Sequence, residues 1–118
     1  MINLDKVRKQ LDYELKYSFD GEEVFAIKPA MKEKQNFINV IKTIQEDINS
    51  TSFTDWLVGL VKQSEEVSEE DLELIRALIT DYEGDFLNQT LVGFKIKTQE
   101  EVDKAKKQLE EKYLEKNL

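Results

Sequence analysis

The sequence contains no cysteine and no histidine. Without cysteine the chain can form no disulfide, no thiolate metal site and no thiol nucleophile, and an intracellular compartment suits it better than a secreted one. Without histidine it lacks the usual proton shuttle at neutral pH, and the two absences together remove the common zinc sites and Ser-His-Asp or Cys-His catalysis. We therefore expect a protein that is not an enzyme and uses no cofactor, no metal and no small-molecule substrate.

Proline and glycine are also scarce, with one proline and four glycines. The glycines stand singly along the chain, so the sequence has no glycine-rich loop that could cradle a phosphate. No apolar run approaches the ~20 residues that span a bilayer, and the N-terminal residues do not resemble a signal peptide. A sequence pI of about 4.7, with lysines interleaved among acids, argues against nucleic-acid binding. These absences predict a cytoplasmic protein that binds neither membranes nor nucleic acids.

The net charge of −8 is concentrated in residues 65–85, where nine acids stand against Arg76 alone. Three adjacent acids near the start suit the first turn of a helix, where the helix dipole favours them by ~0.3–1 kcal/mol each. The end resembles a calcium loop starting at Asp81, but its sixth position holds Phe86 and its twelfth Val92 instead of glycine and an acid. Two interpretations remain: a solvated face that keeps the protein soluble, or a charge-complementary surface that steers a basic partner or blocks wrong self-association.

Apolar and polar residues alternate strictly over residues 11–19, which predicts a half-buried β-strand. Asp20 and Gly21 then supply a turn, and the apolar residues 24–27 supply a second strand, so we predict a β-hairpin. An isolated hairpin is only marginally stable. It must therefore pack on the helices, pair with the edge of another chain, or serve as an extended arm.

Two registers of this hairpin are open. A two-residue loop would place Tyr17 opposite Val24 and turn the apolar residues that follow toward the polar face of the first strand. A three-residue loop, with its glycine in the left-handed conformation, instead pairs Leu15 with Phe25 and keeps the apolar residues on one face. We predict the second register.

After Pro29 the apolar residues recur at helical spacing and predict four to five amphipathic helices. The stripes of the first four contain, in chain order, Phe37, Ile41, Ile44 and Ile48; Phe53, Trp56, Leu57, Leu60 and Val61; Leu72, Ile75, Ile79 and Tyr82; and Phe86, Leu87, Thr90, Leu91 and Phe94. Ser68 and Asp85 are the predicted N-caps of the third and fourth helices. Gly84 is the predicted stop of the third, and residues 95–97 are predicted to be partly extended.

A capping box formed by Thr98 and Glu101 opens the last helix, which we expect to end near Glu115. The fold class predicted is predominantly α-helical (α+β), with a short N-terminal β-hairpin or extended arm. We expect the chain to form a single domain over residues 1–118. Its predicted parts are the hairpin or arm (1–29), the helical core (30–97) and the charged C-terminal helix (98–118).

Two helices are candidate surfaces for protein binding. The helix around Trp56 has the tightest apolar face, and tryptophan is enriched at interface hot spots although it is more often a core residue. Gly59 in the same helix costs ~1 kcal/mol relative to alanine, which a close approach of another helix or of a partner would explain. The stripe of the last helix is too narrow to be self-sufficient. The candidate partner-binding residues are Phe53, Trp56, Leu57, Leu60, Val102, Leu109 and Tyr113.

The overall layout resembles a known family. The features that carry the resemblance are a small, acidic, cysteine-free chain rich in Lys, Glu, Asn and Ile, a short β segment, then helices, then a charged C-terminal helix. The β segment ends in the residues Phe25, Ala26, Ile27, Lys28, Pro29 and Ala30. This pattern resembles the tail assembly chaperones of long-tailed bacteriophages of Gram-positive hosts, those of lactococcal phages in particular.

The resemblance implies a function. Proteins of this family bind the long, hydrophobic, helical tape measure protein during tail assembly, keep it soluble and self-associate around it. They act in the host cytoplasm and are absent from the mature virion. We therefore expect a non-catalytic chaperone that forms a homo-oligomer. The alternative is a small acidic regulatory or inhibitor protein that docks on a basic partner surface.

Overall fold

The computed structural model describes residues 1–116. Within them it has six helices, which account for 67% of the residues, and one antiparallel two-stranded hairpin, so the predicted α+β class is confirmed. The elements are α1 (Leu4–Leu11), β1 (Leu15–Phe19), β2 (Glu22–Ile27), α2 (Lys32–Glu46), α3 (Ser52–Ser64), α4 (Glu69–Asp81), α5 (Glu83–Gly93) and α6 (Gln99–Lys116). Residues 117 and 118 of the predicted C-terminal segment lie outside this range.

Helix α1 was not predicted from the sequence. Its N-cap is Asn3, whose side-chain oxygen accepts a hydrogen bond of 3.2 Å from the backbone N–H of Lys6. The helical spacing of Leu4, Val7 and Leu11 was a usable signal, but Leu11 also fits the alternation that follows. The strand therefore begins at Leu15 and not at Leu11.

The hairpin combines features of both registers, and neither alternative was right. A two-residue turn at Asp20 and Gly21, with φ of 52° and 80°, pairs Phe19 with Glu22. A β-bulge at Val24 then shifts the register, so Tyr17 pairs with Phe25 and Leu15 with Ile27. The bulged residue is left on the outside, 48% exposed. One extra residue thus reconciles the tight turn with an apolar face that points to the core.

Helix α5 holds the hairpin against the body. At its C-terminal end, a Cβ on Gly93 would lie 2.7 Å from Leu15 Cδ2 and 3.3 Å from the carbonyl oxygen of Glu14, so only glycine permits this approach. Near its middle, the side-chain amide of Gln89 accepts a hydrogen bond from the N–H of Ser18 (2.6 Å) and donates one to its carbonyl (3.1 Å). The amide thereby takes the place of a neighbouring strand along the free edge of β1.

A cluster of aromatic rings joins the hairpin and the helices in the core. Phe37 of α2 lies 5.3 Å from Trp56 of α3 and 5.5 Å from Phe94, measured between ring centroids, and Phe94 lies 5.5 Å from Tyr13. Helix α3 packs against both α2 and α4. Burial of these large rings contributes to the hydrophobic stabilisation of the fold.

The helix caps were predicted with mixed success. The Oγ of Ser68 accepts a hydrogen bond of 3.1 Å from the backbone N–H of Asp71, and Thr98 and Glu101 form the reciprocal capping box, so both caps are confirmed. Gly84 and Asp85 are corrections. Helix α4 ends at Asp81, Tyr82 caps both α4 and α5, and the two predicted boundary residues lie within the first turn of α5.

Two further boundaries differ from the prediction. Residues 95–97 are not extended, because Lys95 adopts a φ of 59° and the N–H groups of Ile96 and Lys97 donate to the carbonyl of Leu91. This closes α5 in the way that a terminal glycine often closes a helix. Ile48 does not extend the stripe of α2, which ends at Glu46, and its side chain is exposed.

Candidate protein-binding surfaces

Helix α3 belongs to the core, which corrects its assignment as a partner surface. Phe53, Leu57 and Leu60 are buried, with 5% exposure at most. Their apolar stripe faces the interior of the protein, because α2 and α4 both pack against α3. The side chains are not accessible to a partner in this fold. Val102 is also buried and anchors the first turns of α6 to the body.

Trp56 is partly buried and connects α3 to α2. Its indole Nε1–H donates a hydrogen bond of 2.8 Å to Glu33 Oε2, and Asn36 Nδ2 donates another of 2.8 Å to Glu33 Oε1. Glu33 is only 8% exposed, so these two donors replace much of its lost hydration. The position of Glu33 opposite Trp56 could not be read from sequence spacing. Gly59 has no atom of the fold near its missing Cβ, so internal packing does not explain it.

The outer half of α6 carries three large apolar side chains that are accessible to a partner. Leu109, Tyr113 and Leu114 are 68%, 70% and 62% exposed and lie within two turns of one another. We call these three residues the α6 patch. Lys106 Nζ lies 3.4 Å from Asp85 Oδ1 one turn before the patch, which ties the helix to α5 there. Of the seven predicted partner-binding residues, only Leu109 and Tyr113 are thus strongly exposed.

Helix α1 presents a second apolar stripe, which the sequence prediction missed. Leu4, Val7 and Leu11 are 56%, 46% and 40% exposed, and no residue of α1 is buried. We call these three residues the α1 stripe. The same helix carries Lys6, Arg8 and Lys9 against Asp5, so it is basic in an otherwise acidic protein. An amphipathic helix without a covered face is incomplete as a structural element.

Helix α4 carries most of the acidic stretch and is covered on one side only. Leu72 and Ile79 face the core, whereas Leu74 is 67% exposed. Glu70, Ala77 and Asp81 stand at helical spacings of 4, 3 and 7 residues from Leu74 and are also exposed. We call Glu70, Leu74, Ala77 and Asp81 the α4 face. It is an apolar spot surrounded by acids.

Arg76 does not neutralise the α4 face. It stands two residues from Leu74, on the opposite side of the helix, and its guanidinium forms an ion pair with Asp55 of α3. Hydrogen bonds from Arg76 and, secondarily, from Thr51 hold the pKa of Asp55 below its usual value. The only cation of the acidic stretch is therefore already engaged within the fold.

The two protruding helices make the molecule elongated. Its principal extents are 59, 43 and 32 Å, and its radius of gyration is 16.2 Å. A compact domain of this length would have a radius of gyration of roughly 13 Å. Neither α1 nor α6 packs extensively on another element. The α1 stripe and the α6 patch therefore both lie on helices that project from the body.

Within residues 1–116, no group of three or more Asp or Glu side chains is placed to hold a metal ion. None of the helices in the same range has both the length and the apolar composition of a bilayer-crossing segment. No protein-family model matches the chain, and no curated protein and no solved structure matches it.

Proposed function

We propose that this protein is a non-catalytic chaperone that binds a helical protein client, and specifically a phage tail assembly chaperone that keeps the tape measure protein soluble. The observation that supports it is the α6 patch. Large apolar side chains grouped on one exposed helix are typical of a protein interaction site. The resemblance described above supplies the identity of the client.

The α6 patch is suited to another helix. Leu109 and Tyr113 are one turn apart, and Leu114 widens the apolar surface beside them. Such a surface packs against the apolar stripe of a partner helix, whose anchors recur at three and four residues. Lysines and glutamates surround the patch, with Lys106, Lys107 and Lys112 interleaved with Glu110 and Glu111. Charges of both signs set the register of a helix pair and keep the free helix soluble.

The working model follows from this pairing. A long tape measure protein exposes helical apolar segments before the tail tube encloses it, and many chaperone copies would have to cover them. Self-association of the chaperone would line up several α6 patches along one client and raise the apparent affinity. The protein would act in the host cytoplasm and leave before the virion is complete.

The proposal is tested by co-expression with the tape measure protein encoded in the same gene cluster. The variant Leu109→Lys/Leu114→Lys should lose co-purification of the client, because it places charges in the patch while keeping good helix formers. The control Ile48→Lys changes a residue that is 89% exposed and lies outside the helices, and it should bind normally. Equal binding by both variants would reject the α6 patch as the client site.

Gene order tests the phage assignment separately. We expect a major tail protein gene upstream and a very long helical coding region downstream. A genome without these neighbours would remove the tape measure protein as the client, whatever the outcome at α6.

The α4 face favours a second candidate function. Its acids could dock on a basic enzyme surface, as expected for a small inhibitor or regulator. In that case the double change Glu70→Lys/Asp81→Lys would abolish capture of the basic partner, while Leu109→Lys/Leu114→Lys would have no effect. The two candidates thus respond to different variants.

A further inference from the structure

We propose that the α1 stripe of one copy docks on the α4 face of a second copy, so that the protein associates head to tail. The inference deepens the self-association in the proposed function and rests on it for its biological purpose. It assigns the association to two named surfaces. Neither surface includes a residue of the α6 patch, which the proposed function assigns to the client.

Each of the two surfaces lacks a cover. The α1 stripe is 40 to 56% exposed, and Leu74 at the centre of the α4 face is 67% exposed. The helix α1 of the same chain therefore does not cover its own α4 face. Both surfaces are narrow and helical, so one helix laid along the other buries apolar side chains on both.

The two surfaces are opposite in charge. Helix α1 has three cations and one acid, whereas α4 has five acids and one cation. That one cation, Arg76, is paired with Asp55. A basic helix thus meets an acidic face whose Glu70 and Asp81 form no ion pair among residues 1–116. The acids also discourage the α4 faces of two copies from meeting each other, because like charges would be brought together.

The arrangement follows from the fact that the two surfaces are different. Contact between unlike patches is heterologous, so each copy can both give its α1 and receive another. The result is a closed ring or an open chain, depending on the rotation between neighbours. An eight-residue helix covers less than the ~800 Å² per partner of a standard interface, so we expect association in the micromolar range or weaker. It should also weaken as salt screens the charges.

The experiment is sedimentation velocity from micromolar to near-millimolar protein, at low and high salt, with two charge-reversal variants. The α1 variant is Lys6→Glu/Arg8→Glu/Lys9→Glu, and the α4 variant is Glu70→Lys/Asp81→Lys. Each alone should raise the dissociation constant about tenfold or more, because its two surfaces now repel. An equimolar mixture of the two variants should associate again, since each surface then finds an oppositely charged one on the other variant.

A matched control separates a specific contact from general repulsion. The variant Lys42→Glu/Lys62→Glu/Lys97→Glu makes the same change in net charge as the α1 variant, at exposed positions of α2, of α3 and of the turn between α5 and α6. It should associate much like the unchanged protein. A protein that stays monomeric throughout the concentration range, or an α1 variant that associates normally, would overturn the proposal. So would a mixture of the two reversed variants that remains monomeric.

Client capture keeps this result distinct from the proposed function. If the α1 variant stays monomeric but still binds the tape measure protein, docking of α1 on α4 is supported and the chaperone function stands. If all variants associate as expected and none binds that client, the inference holds and the proposed function fails. If the α1 variant loses the client without a change in association, α1 is a client site and the inference is wrong.

Discussion

The buried hydroxyl pair between β1 and α5 gives the sharpest stability prediction. Tyr17 and Thr90 are fully buried, and their side-chain oxygens lie 2.7 Å apart. The hydroxyl of Thr90 also donates a hydrogen bond of 2.7 Å to the carbonyl of Phe86, so it must accept from the hydroxyl of Tyr17. The direction of donation is thereby fixed, and the two partners are not equivalent.

This asymmetry predicts unequal effects of two conservative substitutions. Thr90→Val leaves the buried hydroxyl of Tyr17 with no acceptor, which should lower the free energy of unfolding by about 1–3 kcal/mol. Tyr17→Phe removes the donor but leaves Thr90 bonded to Phe86, so the loss should be about 0.5–1.5 kcal/mol. In the double variant neither substituted side chain has a polar atom that lacks a hydrogen-bond partner. Adding Tyr17→Phe to Thr90→Val should therefore raise the stability, whereas the same change lowers it in the unchanged protein.

Urea unfolding followed by Trp56 fluorescence and by far-UV circular dichroism measures these differences. The dependence of stability on urea concentration should be the same for all variants, since the surface exposed on unfolding hardly changes. Thr80→Val is the matched control, because Thr80 makes the same bond to the carbonyl four residues earlier but is exposed and has no tyrosine partner. It should stay within about 0.5 kcal/mol of the unchanged protein. Additive effects of the two substitutions would refute the bond between the two hydroxyls, and a larger loss for Tyr17→Phe than for Thr90→Val would refute the assigned direction of donation.

Three other predictions follow from the same region and from the glycines. Burial raises the pKa of Tyr17, so above pH ~10 this phenol ionises in the unfolded chain before it ionises in the folded protein, and the free energy of unfolding falls as the pH rises. Urea titrations at alkaline pH should therefore show a smaller loss of stability for Tyr17→Phe than for the unchanged protein. Parallel pH profiles of the two proteins would contradict this. Gly93→Ala should lower the melting temperature, because its Cβ collides with buried Leu15, whereas Gly59→Ala meets open space and should stabilise α3 by about 0.5–1 kcal/mol. Gln89→Leu should increase light scattering during storage at high concentration, because it uncovers the edge of β1, while Gln35→Leu on the exposed face of α2 should not.

The predictable part of the fold was the part governed by local rules. Periodicity in the sequence located α2 to α6, and the capping residues Ser68 and Thr98 marked two helix starts correctly, because a cap depends on residues three positions apart. The boundary at Tyr82 was missed for the opposite reason. The end of α4 and the start of α5 share this residue, and such a junction depends on how the two helices pack and not on a stop signal.

The candidate site was less predictable because the sequence of an apolar stripe does not indicate which other element packs against it. The stripes of α3 and α6 were both candidate partner surfaces, yet Phe53 and Leu57 are fully buried while Leu109 is exposed. The difference arises from long-range packing of α2 and α4 on α3. The ion pair of Asp55 with Arg76 and the bond from Trp56 to Glu33 join positions more than twenty residues apart. The local sequence pattern predicts neither contact.

The hairpin, which could have paired with another chain, argues for association through helices instead. The free edge of β1 is occupied at Ser18 by the amide of Gln89, and the outer strand carries a bulge at Val24. Occupied edges and bulges are the devices by which natural sheets avoid pairing with other strands. Glu22 and Glu23 add charge at the turn end of β2. Because strand pairing is discouraged, association should use the accessible apolar surfaces on α1, α4 and α6. Substitutions on these three helices should therefore change the assembly of the protein.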